Sequence, residues 1–248
     1  MKRYFNIKKA RKPSAAIGKG LLFLVFLVNL NFSLSFGEGI QDRFANKEKL
    51  IYKISTNGIP SGHIEWEYLG RQEVEGKLAE VLSVNSDTSI LKFLNLTSKE
   101  KVFLDCENHL PLRVERDIIL FGKKELIKES YNQDEGSVTI TRSNDYDKEE
   151  TLYRDKPIHN ILSLLYFFPD DINLEKGEWM SFNLPTQKLR IKFIRERVLV
   201  KDGEKLDTYF LVGRGAKRFS LWLDKETRLP LRIDFIFPLG KVIIENKS

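Results

Sequence analysis

Histidine, cysteine and clustered carboxylates could give this chain acid–base, nucleophilic or metal chemistry, and its histidines are scattered along the sequence. They are His63, His109 and His159. The run His63-Ile64-Glu65 matches the start of the zinc-deaminase signature, but no Pro-Cys-x-x-Cys follows it. The sequence contains neither a His-Glu-x-x-His zinc motif nor a Gly-x-Ser-x-Gly nucleophile elbow. It therefore predicts no catalytic residue, no metal site and no cofactor.

A thirteen-residue unit occurs twice and dominates the architecture. FLDCENHLPLRVE begins at Phe103, and WLDKETRLPLRID begins 119 positions later at Trp222. Self-similarity of this kind indicates one supersecondary unit used twice. The Asp of each unit suits a turn, and Leu-Pro suits the start of a return strand. We therefore predict two equivalent β-hairpins.

Two residues of the repeated unit have a second interpretation. Arg113 and Arg232 are expected on the polar face, opposite to Leu112 and Leu231, where each can pair with an acidic residue across the strands. The alternative is that the Asp/Arg pairs line the mouth of a ligand site. Both interpretations stay open at the level of sequence.

The only cysteine lies within the first hairpin. Cys106 corresponds to Lys225 in the second copy, so the position accepts a polar residue in a turn. One thiol cannot form an internal disulfide, and no histidine stands in a recognisable cysteine-enzyme context. A structural turn position is the favoured interpretation.

The first 37 residues have the pattern of a signal peptide. They contain seven Lys or Arg residues and no acidic residue, and an apolar run from Leu21 to about Phe36 ends in small residues. Cleavage after Gly37 would leave Glu38 at the mature end, and retention as an N-terminal anchor is the alternative. We therefore expect export to the periplasm or association with the outer envelope.

Removing this leader changes the charge of the chain. The full sequence carries a formal charge of +6, but the part from Glu38 onward has 34 basic and 35 acidic residues, a net charge of −1. No basic domain remains to attract a phosphate backbone, which argues against a nucleic-acid partner.

Alternating apolar residues predict that most of the mature chain forms strands. In the C-terminal half the predicted apolar faces contain Leu189, Ile191 and Phe193; Leu206, Thr208, Phe210 and Val212; Phe219, Leu221 and Leu223; and Leu231, Ile233, Phe235 and Phe237. The polar run Asn144–Glu150 is predicted to be a loop, and Ser89–Leu96 fits either a helix or a strand. Pro157–Phe168 is predicted to form a buried helix, because it is apolar on almost all sides and is bounded by prolines.

These elements predict a mainly β fold. It is an antiparallel, strongly curved sheet or open barrel, built from two related halves at about 48–150 and 175–248, with one buried apolar helix between them. We expect one domain over residues 38–248, with the helix on the concave side of the sheet.

The chain resembles a family of bacterial exported proteins, the domain of unknown function 3108 family. The residues that carry the resemblance are Tyr52-Lys53-Ile54, Asn57–Gly62, Ile161–Tyr166, Gly177 and the two Leu-Pro-Leu-Arg hairpins. The resemblance implies a periplasmic or outer-envelope protein without assigned activity, so it transfers no catalytic residue. The hairpins and helix are also similar to the open-barrel carriers of lipoproteins, which is an analogy of fold alone.

Three functional hypotheses follow. The first is a non-catalytic module that binds a lipid or other amphiphile between sheet and helix. The second is a structural or assembly factor of the cell envelope that holds a protein partner, and the third is a hydrolase of envelope polymers. Contact with a membrane is expected only through the leader or transiently. The candidate ligand-binding residues are Leu162, Leu165, Tyr166, Phe168, Trp179, Trp222, Arg113 and Arg232.

Overall fold

The computed structural model describes residues 49–90, 94–144, 146–166, 174, 177–237 and 240–247. Within these residues the chain forms fourteen strands and one short helix. The elements in chain order are β1 (Lys49–Thr56), β2 (Ile59–Val74), β3 (Lys77–Ile90), β4 (Leu94–Asp105), β5 (Pro111–Leu120), β6 (Lys123–Asn132), β7 (Ser137–Ser143), β8 (Asp147–Tyr153), α1 (Ile161–Tyr166), β9 (Trp179–Asn183), β10 (Lys188–Lys201), β11 (Glu204–Arg214), β12 (Arg218–Asp224), β13 (Pro230–Phe237) and β14 (Gly240–Asn246). The predicted leader lies outside the described residues.

All fourteen strands belong to one antiparallel sheet, in the order β8-β7-β6-β5-β4-β3-β2-β1-β14-β13-β12-β11-β10-β9. Strands that follow one another in the chain pair, except β8 and β9, and β1 also pairs with β14, with Tyr52 opposite Asn246. Among the described strands no ladder joins β8 to β9, so the sheet is an open one. The predicted fold class is confirmed, and the described sheet is not closed.

The segment between β8 and β9 contacts the turn after β6 and the edge strand β9. The amide and carbonyl groups of Ile158 bond to the side chain of Gln133, in the turn after β6. The N–H of His159 donates to the carbonyl of Asn183 at the end of β9. This segment leads directly into α1, so these bonds to the β6–β7 turn and to β9 hold the start of the helix.

Helix α1 begins later than the sequence predicted. It spans Ile161–Tyr166 rather than beginning at Pro157, whose peptide bond is cis. Asn160 caps it, because its side-chain oxygen accepts the N–H groups of Leu162 and Ser163 at 2.9 and 3.4 Å. All six helical residues are buried, which confirms that this is a buried apolar helix.

The predicted loop Asn144–Glu150 was wrong over most of its length. Residues from Asp147 onward form β8, which pairs with β7 and lies at the edge of the sheet. Its run of charged residues resembles a loop in composition, but charge is also how an exposed edge strand avoids pairing with other chains. Ser89–Leu96 contains the end of β3 and the start of β4, and residues 91–93 are outside the described part.

The two repeated hairpins have the same construction. Asp105 Oδ1 accepts the N–H groups two and three residues later, and Asp224 Oδ1 does the same in the second copy. His109 and Arg228, which are 119 positions apart, both have positive φ angles, of 52° and 58°. The repeat therefore encodes a turn geometry that each Asp side chain stabilises.

The main core covers the inner face of the sheet and encloses α1. It includes Leu189, Ile191, Leu221, Ile233 and Phe235, as the alternation predicted. The pairing register of β12 with β13 shifts after Trp222, which marks a bulge. Because of this bulge, Leu231 does not lie on the inner face where the alternation predicted it. Leu231 instead packs with Trp222 in a smaller cluster on the outer face. In consequence Arg232 and Leu231 share one side, and Arg232 lies over the ring of Trp222.

The first copy has the equivalent bulge, so Arg113 and Leu112 also share one side, next to Phe103, and are not opposite as predicted. The inner face predicted for β11 is wrong as well, because Leu206 and Phe210 pack against the outer cluster of Trp222 and Leu211 is the β11 residue in the main core.

Candidate functional site

The candidate site is a cavity between α1 and the inner face of the sheet. Its volume is about 80 Å³. Leu162 and Leu165 of the helix form one wall, and strands from both halves of the sheet form the other. The sheet residues that line it are Tyr52, Ile54, Ile64, Trp66, Val84, Ser86, Thr88, Glu100, Ile233, Phe235, Val242 and Ile244, and Ile161 completes the helix side.

A second, smaller cavity lies along the same helix. It has a volume of about 20 Å³ and extends toward Gln187 and Lys217. Four residues line both cavities, namely Ile161, Leu165, Ile233 and Phe235. Of these four, Ile161 and Leu165 belong to α1. A shift of α1 would therefore change the volume of both cavities together.

The lining of the larger cavity is apolar except at one end. Ser86, Thr88 and Glu100 lie there on the adjacent strands β3 and β4, and all three are buried. Within the described residues, Ser86 Oγ and Trp66 Nε1 are buried without a hydrogen-bond partner. Buried polar atoms in folded proteins are nearly always hydrogen-bonded, so these two mark a place where a ligand's polar atom would fit.

Behind this polar end is a buried network of charges that sequence analysis missed. Arg116 Nε lies 2.8 Å from Glu100 Oε2, and Arg116 Nη1 lies 2.6 Å from Glu129 Oε1. The hydroxyl of Tyr131 donates to Glu129 Oε2 at 2.6 Å. With two carboxylates facing one guanidinium, the network carries an excess negative charge when all three groups are ionised.

Protonation of Glu100 relieves this excess. Burial raises the pKa of its carboxyl to about 7, and the opposing attraction of Arg116 does not fully offset that effect. Asn160 hydrogen-bonds to Glu100 as well as capping α1. The ionisation state of the cavity wall is thus connected, through one side chain, to the start of the helix that covers the cavity.

The predicted ligand-binding residues fall into three groups. Leu162 and Leu165 line the cavity, and the ring of Tyr166 lies next to Trp66 with a centroid distance of 6.3 Å. Phe168 lies outside the described residues. The other four are not part of the cavity lining: Trp179 in edge strand β9, and Arg113, Trp222 and Arg232 on the outer side of the repeated hairpins.

The two arginines of the repeat make equivalent contacts. Arg113 lies 4.4 Å from the ring centroid of Phe103, and Arg232 lies 5.4 Å from that of Trp222. Each also forms an ion pair two residues along its own strand, Arg113 with Glu115 and Arg232 with Asp234. These contacts account for both guanidinium groups as parts of the hairpins.

In the part of the chain that the structure describes, no three His, Cys, Asp or Glu side chains are grouped so that they could hold a metal ion. The described residues contain no helix with the length and hydropathy that a bilayer crossing requires.

Comparison with known proteins establishes a likeness of fold. No family model and no curated protein matches the chain, so the resemblance to the domain of unknown function 3108 family is not confirmed. The structure is similar to that of a β-barrel-like protein of domain of unknown function DUF1849 from Brucella abortus, with a TM-score of 0.56 and 8% identity over 81% of this chain and 95% of that chain. A putative lipoprotein from Parabacteroides distasonis aligns over 81% of this chain and 93% of its own, with 6% identity and a TM-score of 0.28.

Proposed function

We propose that the protein is a non-catalytic carrier in the bacterial cell envelope that binds a lipid or other amphiphile between α1 and the inner face of the sheet. The observation that carries the proposal is the cavity itself, with apolar walls and two unsatisfied buried polar atoms, Trp66 Nε1 and Ser86 Oγ. An amphiphile matches this arrangement, because its chain contacts the walls and its head meets the polar end.

The size of the cavity implies that binding needs movement of the helix. Sites for small molecules usually have volumes of about 300–1,000 Å³, whereas this cavity has about 80 Å³. Ile161 and Leu165 of α1 line both this cavity and the smaller one. Outward movement of α1 would join the two spaces into one elongated site along the inner face of the sheet.

Native mass spectrometry of the chain from Glu38 onward tests the proposal. The protein is purified without detergent from the periplasm of a bacterial host, and we expect an adduct of lipid mass that denaturation releases. Val84→Phe, which fills the cavity from the sheet side, should remove the adduct, and Leu165→Glu should do so from the helix side.

The matched control is Val198→Phe, the same substitution at an exposed position of β10. It should keep the adduct, and circular dichroism shows whether each variant is folded. A bare mass for the wild-type protein, or an adduct that persists in folded Val84→Phe, contradicts the carrier proposal.

The alternative is an assembly factor of the cell envelope that holds a protein partner. The feature that favours it is the open edge of the sheet at β8, where an added strand could pair. The charged run at the start of β8, however, opposes such pairing. Crosslinking in cells that traps one dominant partner, together with a bare wild-type mass, would favour this alternative over the carrier.

A further inference from the structure

Five residues at the β9 end of the sheet form a surface that the cavity does not explain. We call it the basic strip: Trp179, Arg190, Lys192, Arg214 and Arg218. The Cζ atoms of Arg190 and Arg214 lie 5.2 and 4.9 Å from the ring centroid of Trp179, and Lys192 Nζ lies 5.7 Å from it. Three cations are therefore gathered around one half-buried indole ring in the edge strand.

The register of the strands aligns like charges across this strip. Arg190 is directly opposite Arg214, and Arg214 is directly opposite Arg218. Like charges in directly opposite positions destabilise a sheet. Among the described residues, none of the four cations of the strip forms an ion pair. The nearby Lys188 faces the exposed Asp155 at 3.7 Å, and Glu178 precedes Trp179 in sequence.

Strands β4, β5 and β6 of the same sheet show the opposite pattern. Glu115 is opposite Lys101 on one side and Lys128 on the other, and Asp117 is opposite Lys99. There the cross-strand positions alternate in sign, as stability alone would favour. The chain from Glu38 onward also has a net charge of only −1. The positive charge of the basic strip is thus a local feature, and an interaction with an anion is a reason to retain it.

We infer that the basic strip is a docking surface for an anionic phospholipid bilayer. The guanidinium and ammonium groups would contact headgroup phosphates, and the indole of Trp179 would lie at the level of the headgroups, where Trp is enriched. A long polyanion such as nucleic acid fits less well, because the strip is short and the remaining surface carries no excess of positive charge. The inference does not depend on a ligand in the cavity.

Vesicle flotation tests the inference with the processed protein, whose amino terminus is verified by mass spectrometry so that no leader contributes. This form retains every described strand, since β1 begins at Lys49. We expect binding to equimolar phosphatidylglycerol and phosphatidylcholine vesicles, weakening with added salt, and no binding to phosphatidylcholine alone. The emission of Trp179 should shift to shorter wavelength on binding, and Trp179→Phe should abolish that shift.

Charge reversal provides the decisive variant. Because each cation near a membrane surface contributes about 1 kcal/mol, Arg190→Glu with Arg214→Glu should weaken partitioning at least about 30-fold. The matched control, Lys77→Glu with Lys123→Glu, makes the same charge change at exposed hairpin positions of β3 and β6 and should bind like the wild type. Circular dichroism and thermal unfolding verify that both proteins are folded.

Three results would overturn the inference. The first is wild-type protein that does not bind anionic vesicles, and the second is equal weakening in the strip variant and its control. The third is tighter binding to polyglutamate or to single-stranded DNA than to vesicles at the same salt concentration, which would assign the strip to an acidic macromolecule. Lipid adducts are measured separately, so failure of the docking surface and failure of the carrier proposal are distinguishable.

Discussion

Glu100 and Arg116 face each other on β4 and β5 in the interior of the protein, with Nε and Oε2 2.8 Å apart and both side chains 1% exposed. A second carboxylate, Glu129, contacts the same guanidinium. Since two buried acids compete for one base, one of the acids is best accommodated without charge. Glu100 is that acid, because burial raises the pKa of its carboxyl to about 7.

The first prediction concerns Glu100→Gln. An acid whose pKa is raised by folding makes the protein lose stability as pH rises from about 4.5 to about 7. The variant should therefore match the wild type near pH 5 and exceed its free energy of unfolding by about 2–3 kcal/mol at pH 8. Urea unfolding at both pH values measures this. Exposed Glu107→Gln is the control, and a less stable Glu100→Gln protein at pH 8 would show that the ion pair dominates.

The second prediction concerns the base of the same network. Arg116→Met leaves two buried carboxylates without their cation and should cost about 3–5 kcal/mol at pH 8, with a smaller cost near pH 5 as the acids become protonated. Arg142→Met is the matched control, because Arg142 pairs with Glu125 at 3.5 Å on a partly exposed surface. Its cost should stay below about 1 kcal/mol. Equal costs for the two variants in chemical unfolding would argue against a special role of the buried network.

A third prediction follows from His159, which precedes the helix cap. Burial lowers the pKa of its imidazole to about 3. The centroid of the ring lies 5.8 Å from that of Phe182. The unfolded state binds a proton that the folded state excludes, so stability falls as pH decreases from about 6.5 toward 3. Between pH 7 and pH 4 this loss is about 3 kcal/mol. In His159→Gln the free energy of unfolding should fall by that much less between pH 7 and pH 4. Exposed His63→Gln should not.

The fourth prediction tests the repeated turns. Asp105→Ala and Asp224→Ala each remove two hydrogen bonds to backbone N–H groups. Each should lower the free energy of unfolding by about 1 kcal/mol, and the two losses should add because the hairpins are separate. Glu107→Ala and Glu226→Ala, in the same turns, are the matched controls. A neutral result for either Asp variant would mean that its turn does not depend on the side chain.

Local patterns were enough to predict much of the fold. The alternation of Leu189, Ile191 and Phe193 identified an inner face, since the side-chain period of a strand is a property of neighbouring residues. The pairing of β1 with β14 had no such signal, because it joins residues from opposite ends of the chain. The start of α1 was misplaced because Pro157 was weighed above Asn160, the residue whose side chain caps the helix.

The candidate site was predictable only on its helical side. The apolar run in α1 pointed to Leu162 and Leu165, which line the cavity. Glu100 and Arg116 were missed, although each occupies an inward position of its strand, between Ser98 and Val102 and between Val114 and Ile118. The available signal was a charged residue at a strand position where the alternation predicts an apolar one. The partner of each charged residue could not be inferred, since it depends on the pairing register with another strand.

The pairing of β1 with β14 places the last described strand in an unusual position. In most domains the last residues can be trimmed or tagged with little harm unless they are tied into the structure. Here the final strand lies in the middle of the sheet and joins the β1–β8 run to the β9–β14 run. Until Gly240–Asn246 has been synthesised, no described ladder joins the two runs, so a chain that ends before Gly240 lacks the strand that connects them.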